Sequence, residues 1–395
     1  MPATSLRCRS CATEYALEDI GTCTACFGPL DPVYDWDELA RTVSRETIAA
    51  GPTSIWRYAP LLPVEAPAEA RLAPGFTPLV GELWLKLDTA NPTHSFKDRV
   101  VAVAAAKARE LGLETIACSS TGNLANAVAA RAAAEGIGAA VFCPADLEPE
   151  KLVATAVYGA TIYAVRGTYD DCSRLTIELS FELPWGFVNV SLRSYYAEGS
   201  KTVAFEIAEQ LGWDAPDAVV APIASGSLYS KIAEGFDQLQ RVGLVDARTP
   251  RLFGGQAEGC SPVATAFASG EKVVPVRPAT IARSLAIGNP ADGDKAAATA
   301  RRTGGAVYAV AEDDVGANMG LLAECAGIFG ETAAGVSLGA LRRAVDEGEL
   351  GADDRVVLVV TGDGLKTPGP VEARLDPIEI DADADQVLER LGVLT

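Results

Sequence analysis

Short apolar runs alternate with segments of helical spacing along most of the chain beyond residue 100. The apolar runs predict strands at 115–119, 139–143, 161–165, 187–190, 218–223, 251–254 and 355–360. Turn residues or a stretch of helical periodicity follow each run, which is typical of parallel α/β architecture. The hydrophobic pattern therefore predicts an α/β fold built on parallel strands.

Two segments depart from this pattern. Residues 56–78 are rich in proline and alanine, which predicts a connecting arm rather than a packed domain. The first 35 residues are predicted to form a separate small unit. They contain four of the nine cysteines of the chain.

The four N-terminal cysteines have the spacing of a zinc site. Cys8 and Cys11 form one Cys-x2-Cys pair, Cys23 and Cys26 form a second, and eleven residues separate the pairs. Two such pairs can close a tetrahedral zinc site, and so short a segment needs help to build a core. We predict a zinc-ribbon-like knuckle. A vestigial or redox-active pair of turns is the alternative.

Composition indicates a large cytoplasmic enzyme. The 395 residues can bury more than one core, and 53 acidic against 33 basic side chains give a formal charge of −20. This charge disfavours nucleic acid and anionic membranes as partners. No apolar run approaches membrane-spanning length, the N-terminus does not resemble a signal peptide, and an odd number of cysteines argues against a secreted disulfide framework.

Histidine usage restricts the possible chemistry, because His94 is the single histidine. A His-rich metal site and any triad that does not use His94 are excluded, so proton transfer falls to lysines, carboxylates, hydroxyls or a cofactor. His94 itself could line a ligand pocket or simply fill a turn.

The segment Asn-Pro-Thr-His-Ser-Phe-Lys-Asp-Arg at 91–99 is the strongest candidate for chemistry. Asn-Pro marks a turn, Ser95 is a candidate N-cap, and Lys97 falls in the first helical turn. A helix N-terminus disfavours the ammonium form of lysine and attracts phosphate, which suits a lysine that forms a Schiff base. The alternative is a solvated lysine beside Asp98 and Arg99.

Four further segments occur in an order that matches a known family. They are Gly-Phe-Thr-Pro-Leu at 75–79, Ser-Ser-Thr-Gly-Asn at 119–123, Tyr-Ala-Glu-Gly-Ser-Lys-Thr at 196–202 and Thr-Gly-Asp-Gly-Leu-Lys at 361–366. With the lysine segment, they resemble threonine synthases and their relatives among the fold type II pyridoxal phosphate enzymes. The resemblance implies two open α/β domains with the cofactor in the cleft. Residues 36–105 and 206–395 would form the large cofactor-binding domain, 106–205 the small substrate-binding domain, and 1–35 the knuckle.

The resemblance also implies roles for particular residues. Lys97 would hold pyridoxal phosphate and remove the α-proton of the substrate, Asn123 would bind the 3' oxygen of the cofactor, and Thr361 would face its pyridine nitrogen. The loop between an apolar run and a helix would hold the cofactor phosphate through Ala224, Ser225, Gly226, Ser227 and Leu228.

By the same resemblance, Ser120 and Thr121 would bind the substrate carboxylate, and Arg193 or Lys201 would bind the substrate phosphate. The implied reaction converts O-phospho-L-homoserine and water to L-threonine and phosphate, and the implied state is a homodimer. Some threonine synthases have arginine where this chain has Tyr196. This departure bears on substrate identity rather than on cofactor use.

Three alternatives stay open at this point. A related replacement enzyme such as a cysteate synthase, which uses phosphoserine and sulfite, would keep the same cofactor residues. A serine or threonine dehydratase would release a 2-oxo acid. A non-catalytic regulatory protein could retain the fold and use the knuckle for docking.

Overall fold

The computed structural model describes residues 3–69, 71–81, 83–120, 122–146, 149–246, 249–382 and 384–391. The strands are β1 Ala3–Cys8, β2 Glu14–Tyr15, β3 Leu30–Tyr34, β4 Leu79–Val80, β5 Trp84–Leu87, β6 Thr115–Ser119, β7 Gly138–Pro144, β8 Thr161–Val165, β9 Gly186–Phe187, β10 Ala218–Pro222, β11 Arg251–Ala257, β12 Val307–Val310 and β13 Val356–Val360. The α-helices are α1 Trp36–Thr42, α2 Arg45–Ala49, α3 Lys97–Glu110, α4 Asn123–Glu135, α5 Pro149–Ala156, α6 Tyr169–Leu179, α7 Arg193–Glu198, α8 Thr202–Gln210, α9 Ser227–Arg241, α10 Pro262–Ser269, α11 Gly293–Thr303, α12 Glu312–Ala326, α13 Thr332–Asp346 and α14 Ala384–Arg390.

The larger sheet has six strands in the order β12-β11-β10-β13-β5-β4. All neighbours pair in parallel except β4, which pairs antiparallel with β5 at the edge. Every residue of the central strand β13 is buried. Its sequence, Val-Val-Leu-Val-Val, is the continuous apolar run expected of a strand covered on both faces.

The second sheet has four parallel strands in the order β8-β7-β6-β9, all drawn from residues 115–187. The strands predicted at 115–119 and 161–165 have the predicted bounds, and the run at 187–190 is a strand only at its first residue. The division of the chain into domains at residues 106 and 206 stays a prediction.

Three strands of the larger sheet escaped the hydrophobic pattern. β4 and β12 are only two and four residues long, and β5 carries the buried Lys86 in the middle of its apolar run. Lys86 is accommodated because its ammonium donates to the Thr77 carbonyl at 2.6 Å and pairs with Glu206 at 2.7 Å. A buried ion pair of this kind cannot be inferred from local sequence.

The N-terminal unit is a three-stranded antiparallel sheet in the order β2-β1-β3. Its buried residues Leu6, Leu30 and Tyr34 belong to the same apolar core as α3 and α4. The unit therefore packs as part of the main body rather than as an isolated module.

The prediction of a connecting arm at 56–78 is wrong for its first part. A 3-10 helix spans Ile55–Leu61, and Tyr58, Leu61, Leu62 and Val64 have no solvent exposure. Pro60 lies inside this 3-10 helix, and the apolar residues around it pack into the core. Among the helices of the described residues, none is long and apolar enough to cross a membrane.

Candidate active site

Three adjacent parallel strands of the larger sheet deliver three of the predicted segments to one edge. β5 ends at Leu87 and leads to the lysine segment, β13 ends at Val360 and leads to Thr361, and β10 ends at Pro222 and leads to the loop at 224–228. The carboxyl edge of an open α/β sheet is where such folds bind ligands. Strand order, which the sequence does not reveal, makes these segments neighbours.

Backbone contacts join the lysine segment to the segment after β13. The Phe96 amide donates to the Thr361 carbonyl at 2.9 Å, and Ser95 forms an isolated bridge with Gly362. Helix α3 begins at Lys97, whose amine donates to the Tyr196 hydroxyl at 3.0 Å and lies 4.8 Å from the centre of the Phe96 ring. Lys97 is partly exposed, so its amine is accessible to a ligand in the cleft.

Ser95 is not the N-cap that the sequence predicted. Phe96 occupies the N-cap position, and the Ser95 hydroxyl is buried with no hydrogen-bond partner among the described residues. His94 fills a turn: it has φ +59, is exposed, and its ring nitrogen lies 3.3 Å from the Thr89 carbonyl. The unpartnered Ser95 hydroxyl is therefore available to a bound ligand, whereas His94 makes a local contact.

Asp98 and Arg99, the two residues that follow Lys97, are both buried rather than solvated. Asp98 is 3% exposed and accepts from the amide and hydroxyl of Thr93 at 2.8 and 2.9 Å. Arg99 is fully buried and bound by two carboxylates, those of Asp88 and Glu206. These buried bonds fix the start of α3 and so fix the position of the Lys97 backbone.

Asn123, the first residue of α4, is held between two charged groups. Its amide oxygen accepts from the Lys366 ammonium at 2.9 Å, and its amide nitrogen donates to the Glu331 carboxylate at 3.0 and 3.2 Å. Burial raises the pKa of Glu331, although Asn123 and Lys366 oppose that shift, and burial lowers the pKa of Lys366. The orientation of the Asn123 amide is thus set before any ligand binds.

The loop that precedes Asn123 is only partly described. The Ser120 hydroxyl accepts from the amides of Gly122 and Ala125, both at 3.3 Å. Ser120 therefore acts at the start of α4 as a capping group, and its role toward a substrate carboxylate stays a prediction. Thr121 lies outside the described residues.

The loop Ala224, Ser225, Gly226, Ser227 and Leu228 connects β10 to the start of α9. Gly226 is the N-cap with φ +89 and has no side chain to cap the helix, and the amide of Ser227 makes a long hydrogen bond of 3.5 Å to the Ser225 hydroxyl. The first amides of a helix have no partner within the helix, and the helix dipole favours an anion there. The loop can therefore hold a phosphate, as the sequence predicted.

Helix α7 links Lys97 to this loop. Tyr196 accepts from Lys97, and one turn earlier Arg193 donates to the Asp292 carboxylate at 2.6 Å. The Asp292 amide in turn donates to the Ser225 carbonyl at 2.9 Å. Arg193 thus stands beside the phosphate loop with a protein partner already in place, and its contact with a substrate phosphate stays a prediction.

The structure contradicts the substrate role predicted for Lys201. This side chain has no solvent exposure, and its ammonium contacts the Glu198 carboxylate, the Tyr34 hydroxyl at 3.1 Å and the Leu61 carbonyl at 3.1 Å. An ammonium has three hydrogens, and these three partners use them all. Lys201 therefore anchors the N-terminal unit internally rather than binding substrate.

These residues fit pyridoxal phosphate. The cleft offers a lysine amine, an oriented amide at Asn123, a buried unpartnered hydroxyl at Ser95 and a helix start suited to phosphate. Thr361, 5% exposed at the end of β13, would present a neutral hydroxyl rather than a carboxylate.

The four cysteines of the N-terminal unit fit zinc. The sulfur atoms of Cys8, Cys11, Cys23 and Cys26 all lie within 4.8 Å of one another. A tetrahedral Zn–S4 centre with bonds of about 2.3 Å spaces its sulfurs by about 3.8 Å. The hydroxyl of Tyr15, 3.0 Å from the Cys23 sulfur, lowers the pKa of that thiol to about 6, which favours the thiolate that a metal requires.

Tyr196, Glu331, Lys366 and Asp292 were absent from the predicted site residues. Tyr196 and Lys366 stand in the segments 196–202 and 361–366 that the sequence had singled out, although the sequence did not reveal their contacts. Glu331 lies outside those segments. Asp292 precedes α11 and follows a Pro-Ala pair, and nothing local distinguishes it from a turn residue.

Comparisons with known proteins agree with this geometry. Residues 61–362 match the model of the pyridoxal-phosphate dependent enzyme family. The chain is 35% identical to a threonine synthase of Methanocaldococcus jannaschii and 36% identical to one of Methanosarcina acetivorans. Each alignment covers 98% of this chain and 98% of the relative.

Solved structures of more distant proteins share the fold. The processed form of threonine deaminase isoform 2 from Solanum lycopersicum superposes with a TM-score of 0.64 at 19% identity, covering 85% of this chain and 92% of that one. An L-serine ammonia-lyase from Rhizomucor miehei superposes with a TM-score of 0.62 at 20% identity, and the alignment covers 73% of this chain and 91% of that one. The predicted fold type II architecture is confirmed by these likenesses.

Proposed function

Because the chain belongs to the threonine synthase family of pyridoxal-phosphate dependent enzymes, we propose that it converts O-phospho-L-homoserine and water to L-threonine and phosphate. The chain is a pyridoxal-phosphate-dependent lyase by this membership. The specific substrate, the residues that bind it and a homodimeric state are parts of the proposal.

One structural observation carries the proposal. At one sheet edge the amide of Phe96, the residue before Lys97, donates to the Thr361 carbonyl, and Lys366, five residues after Thr361, donates to Asn123. The segments that carry Lys97 and Asn123 thus come together with the Thr361 segment, which lies more than 200 residues further along the chain, around the partly exposed Lys97 amine. A regulatory protein that only retained the fold would have no need for this convergence.

Lys97, Tyr196 and the loop at 224–228 have separate roles in this reaction. Lys97 binds the cofactor and removes the proton at the α-carbon of the substrate, and the Tyr196 hydroxyl orients the Lys97 amine through their 3.0 Å hydrogen bond. The loop at 224–228 binds the cofactor phosphate. When bound, pyridoxal phosphate takes up the negative charge that develops at the substrate carbons.

The leaving phosphate needs a second group of donors. Arg193 is our proposal for this contact, because its guanidinium is 28% exposed and has donors beyond the one bound to Asp292. Tyr196 stands where some threonine synthases have arginine, so a phosphate contact from this position would come from a hydroxyl. Lys201 takes no part, since its ammonium is enclosed.

The test is a stoichiometric assay of the purified protein. With pyridoxal phosphate and O-phospho-L-homoserine, we expect L-threonine and phosphate in equal amounts and a visible absorbance band from the lysine-linked cofactor. Lys97→Ala should lose both the band and the products. The matched control is Lys272→Ala, because Lys272 is exposed, and it should lose neither.

The same assay separates the alternatives. Phosphoserine with sulfite, giving cysteate, would replace the proposed substrate while keeping the cofactor. Formation of a 2-oxo acid from serine or threonine would indicate a dehydratase. Absence of the band in the wild-type protein would leave the regulatory interpretation.

A further inference from the structure

The N-terminal cysteine unit meets the body of the protein beside the loop at 224–228. The junction contains four cationic side chains, Arg9, Arg193, Lys231 and Lys295, together with Asp31 and Asp292. The cavity between them measures about 10 Å³, and each cation already contacts a carboxylate. This volume admits one water rather than an anion such as phosphate. The junction is therefore a set of contacts between protein elements, not a binding pocket.

Asp292 is the centre of this junction. Its side chain is 6% exposed, and its two carboxylate oxygens accept from different arginines: Arg9 at 3.0 Å and Arg193 at 2.6 Å. Arg9 belongs to the cysteine unit and Arg193 to α7, the helix that also carries the partner of Lys97. One carboxylate thus joins the cysteine unit to the active-site helix.

The backbone of Asp292 contacts the phosphate loop directly. Its amide donates to the Ser225 carbonyl at 2.9 Å. Its carbonyl packs so closely on Gly226 that an added Cβ at Gly226 would lie 2.6 Å from the carbonyl oxygen. Any displacement of Asp292 is therefore transmitted to the residues whose amides would bind the cofactor phosphate.

The orientation of the Asp292 carboxylate is not set by its own helix. Asp292 is the N-cap of α11, a position where aspartate usually accepts from the first amides of the helix, yet its side chain makes no capping bond. The carboxylate is turned toward the two arginines instead. Arg9 is therefore one of the two groups that orient this carboxylate away from a capping bond to α11.

Arg9 depends on the folded cysteine unit for its own position. It lies between Cys8 and Cys11, its guanidinium binds the Asp31 carboxylate through two bonds of 2.9 Å, and its amide donates to the Pro29 carbonyl. Asp31 lies in β3, the strand that pairs with β1. The geometry of the cysteine unit therefore determines where the Arg9 guanidinium meets Asp292.

We propose that Asp292 is a positioning residue for the cofactor phosphate and that Arg9 of the cysteine unit holds it in place. The cysteine unit thereby tunes the affinity of the loop at 224–228 for pyridoxal phosphate. This inference rests on the proposed function, because it takes that loop as the cofactor-phosphate site.

The test measures the dissociation constant of pyridoxal phosphate by titrating cofactor-free full-length protein. Arg9→Gln and Asp292→Asn are each expected to raise the constant about ten-fold, within the usual range of coupling between sites. The double variant should also raise the constant about ten-fold rather than a hundred-fold, because Arg9 is proposed to act through Asp292. The ³¹P resonance of the bound cofactor should move in the same variants, which a general loss of stability would not produce.

Arg7→Gln is the matched control. Arg7 lies two residues away in the same unit and pairs with Glu14, but it does not reach Asp292. The dissociation constant of pyridoxal phosphate for Arg7→Gln should stay within about two-fold of the wild-type value. The metal content of every variant is measured as well, to show whether its cysteine unit is intact.

The outcomes separate the two proposals. If the wild-type protein binds pyridoxal phosphate and the dissociation constant is unchanged in Arg9→Gln and Asp292→Asn, the role of Asp292 is overturned. The proposed function would then still stand. Equal losses in Arg7→Gln and Arg9→Gln would overturn the role of Asp292 too, because the effect would then belong to the whole unit. A wild-type protein that bound no cofactor would refute the proposed function itself, and the inference with it.

Discussion

Replacing Arg99 is expected to destabilise the protein strongly, because its guanidinium neutralises two buried carboxylates. Its Nε and one Nη bind Asp88 at 2.7 Å each, and its terminal nitrogens bind Glu206, Thr77 and Thr202. The side chains of Arg99, Asp88 and Glu206 have no solvent exposure. Water cannot replace the lost partner.

The magnitude follows from the partners that would remain. In Arg99→Met the apolar stem is retained, and Glu206 keeps Lys86 at 2.7 Å. Asp88 keeps the Thr77 hydroxyl at 2.9 Å but loses its counter-charge. Removing one member of a buried ion pair costs about 3–5 kcal/mol, so we expect a loss of that size in the free energy of unfolding.

The assay is urea unfolding followed by circular dichroism at saturating pyridoxal phosphate. Arg109→Met is the matched control, since Arg109 lies on the same helix and is exposed, and it should change the free energy of unfolding by no more than about 0.5 kcal/mol. Adding Asp88→Asn to Arg99→Met should recover part of the loss, because it removes the uncompensated charge. Equal stability of Arg99→Met and Arg109→Met would refute the reasoning.

Two further predictions concern the hydroxyl beside Lys97 and the buried carboxylate of Glu206. Tyr196→Phe should keep the cofactor absorbance band and lower kcat ten-fold or more, because it removes the hydroxyl to which the Lys97 amine donates. Tyr195→Phe, which loses a bond to the Glu18 carbonyl instead, should leave kcat nearly unchanged, and similar losses in both would contradict the assignment. Burial alone would raise the pKa of Glu206, but Arg99 and Lys86 outweigh burial and lower the pKa from 4.5 to about 2. A carboxylate whose pKa is lowered by folding stabilises the folded state above pH 4.5. The free energy of unfolding should therefore fall by about 3 kcal/mol as pH falls from 4.5 to 2. Unfolding free energies measured across this range should show a smaller decline in Glu206→Gln than in wild type, and an identical decline would exclude Glu206 as its source.

The strand at 355–360 and the lysine segment illustrate how far the sequence could reach. An uninterrupted apolar run predicts a central parallel strand, and Asn-Pro followed by a helical pattern places a lysine at a helix start. Both predictions depend on interactions between residues close in sequence. The structure corrects only details of these predictions: the N-cap of α3 is Phe96 rather than Ser95.

Lys201 and Arg193 illustrate the opposite case. Both are basic residues in or near the segment at 196–202, and the sequence offers no means to tell their roles apart. Packing distinguishes them: Lys201 points toward the N-terminal unit and is enclosed by Glu198, whereas Arg193 remains partly exposed beside Asp292.

The sequence alone determined the α/β class, the candidate lysine, the cysteine pairs and the turn and helix signals around the loop at 224–228, because each is written in short-range spacing and residue type. Tertiary structure alone decided which segments meet, since β5, β13 and β10 are neighbours in the sheet but far apart in the chain. It also decided which charges are buried and paired, as with Arg99 and Asp292. A charged side chain is desolvated only when elements distant in the sequence pack around it. No local sequence pattern therefore predicts which charges are buried.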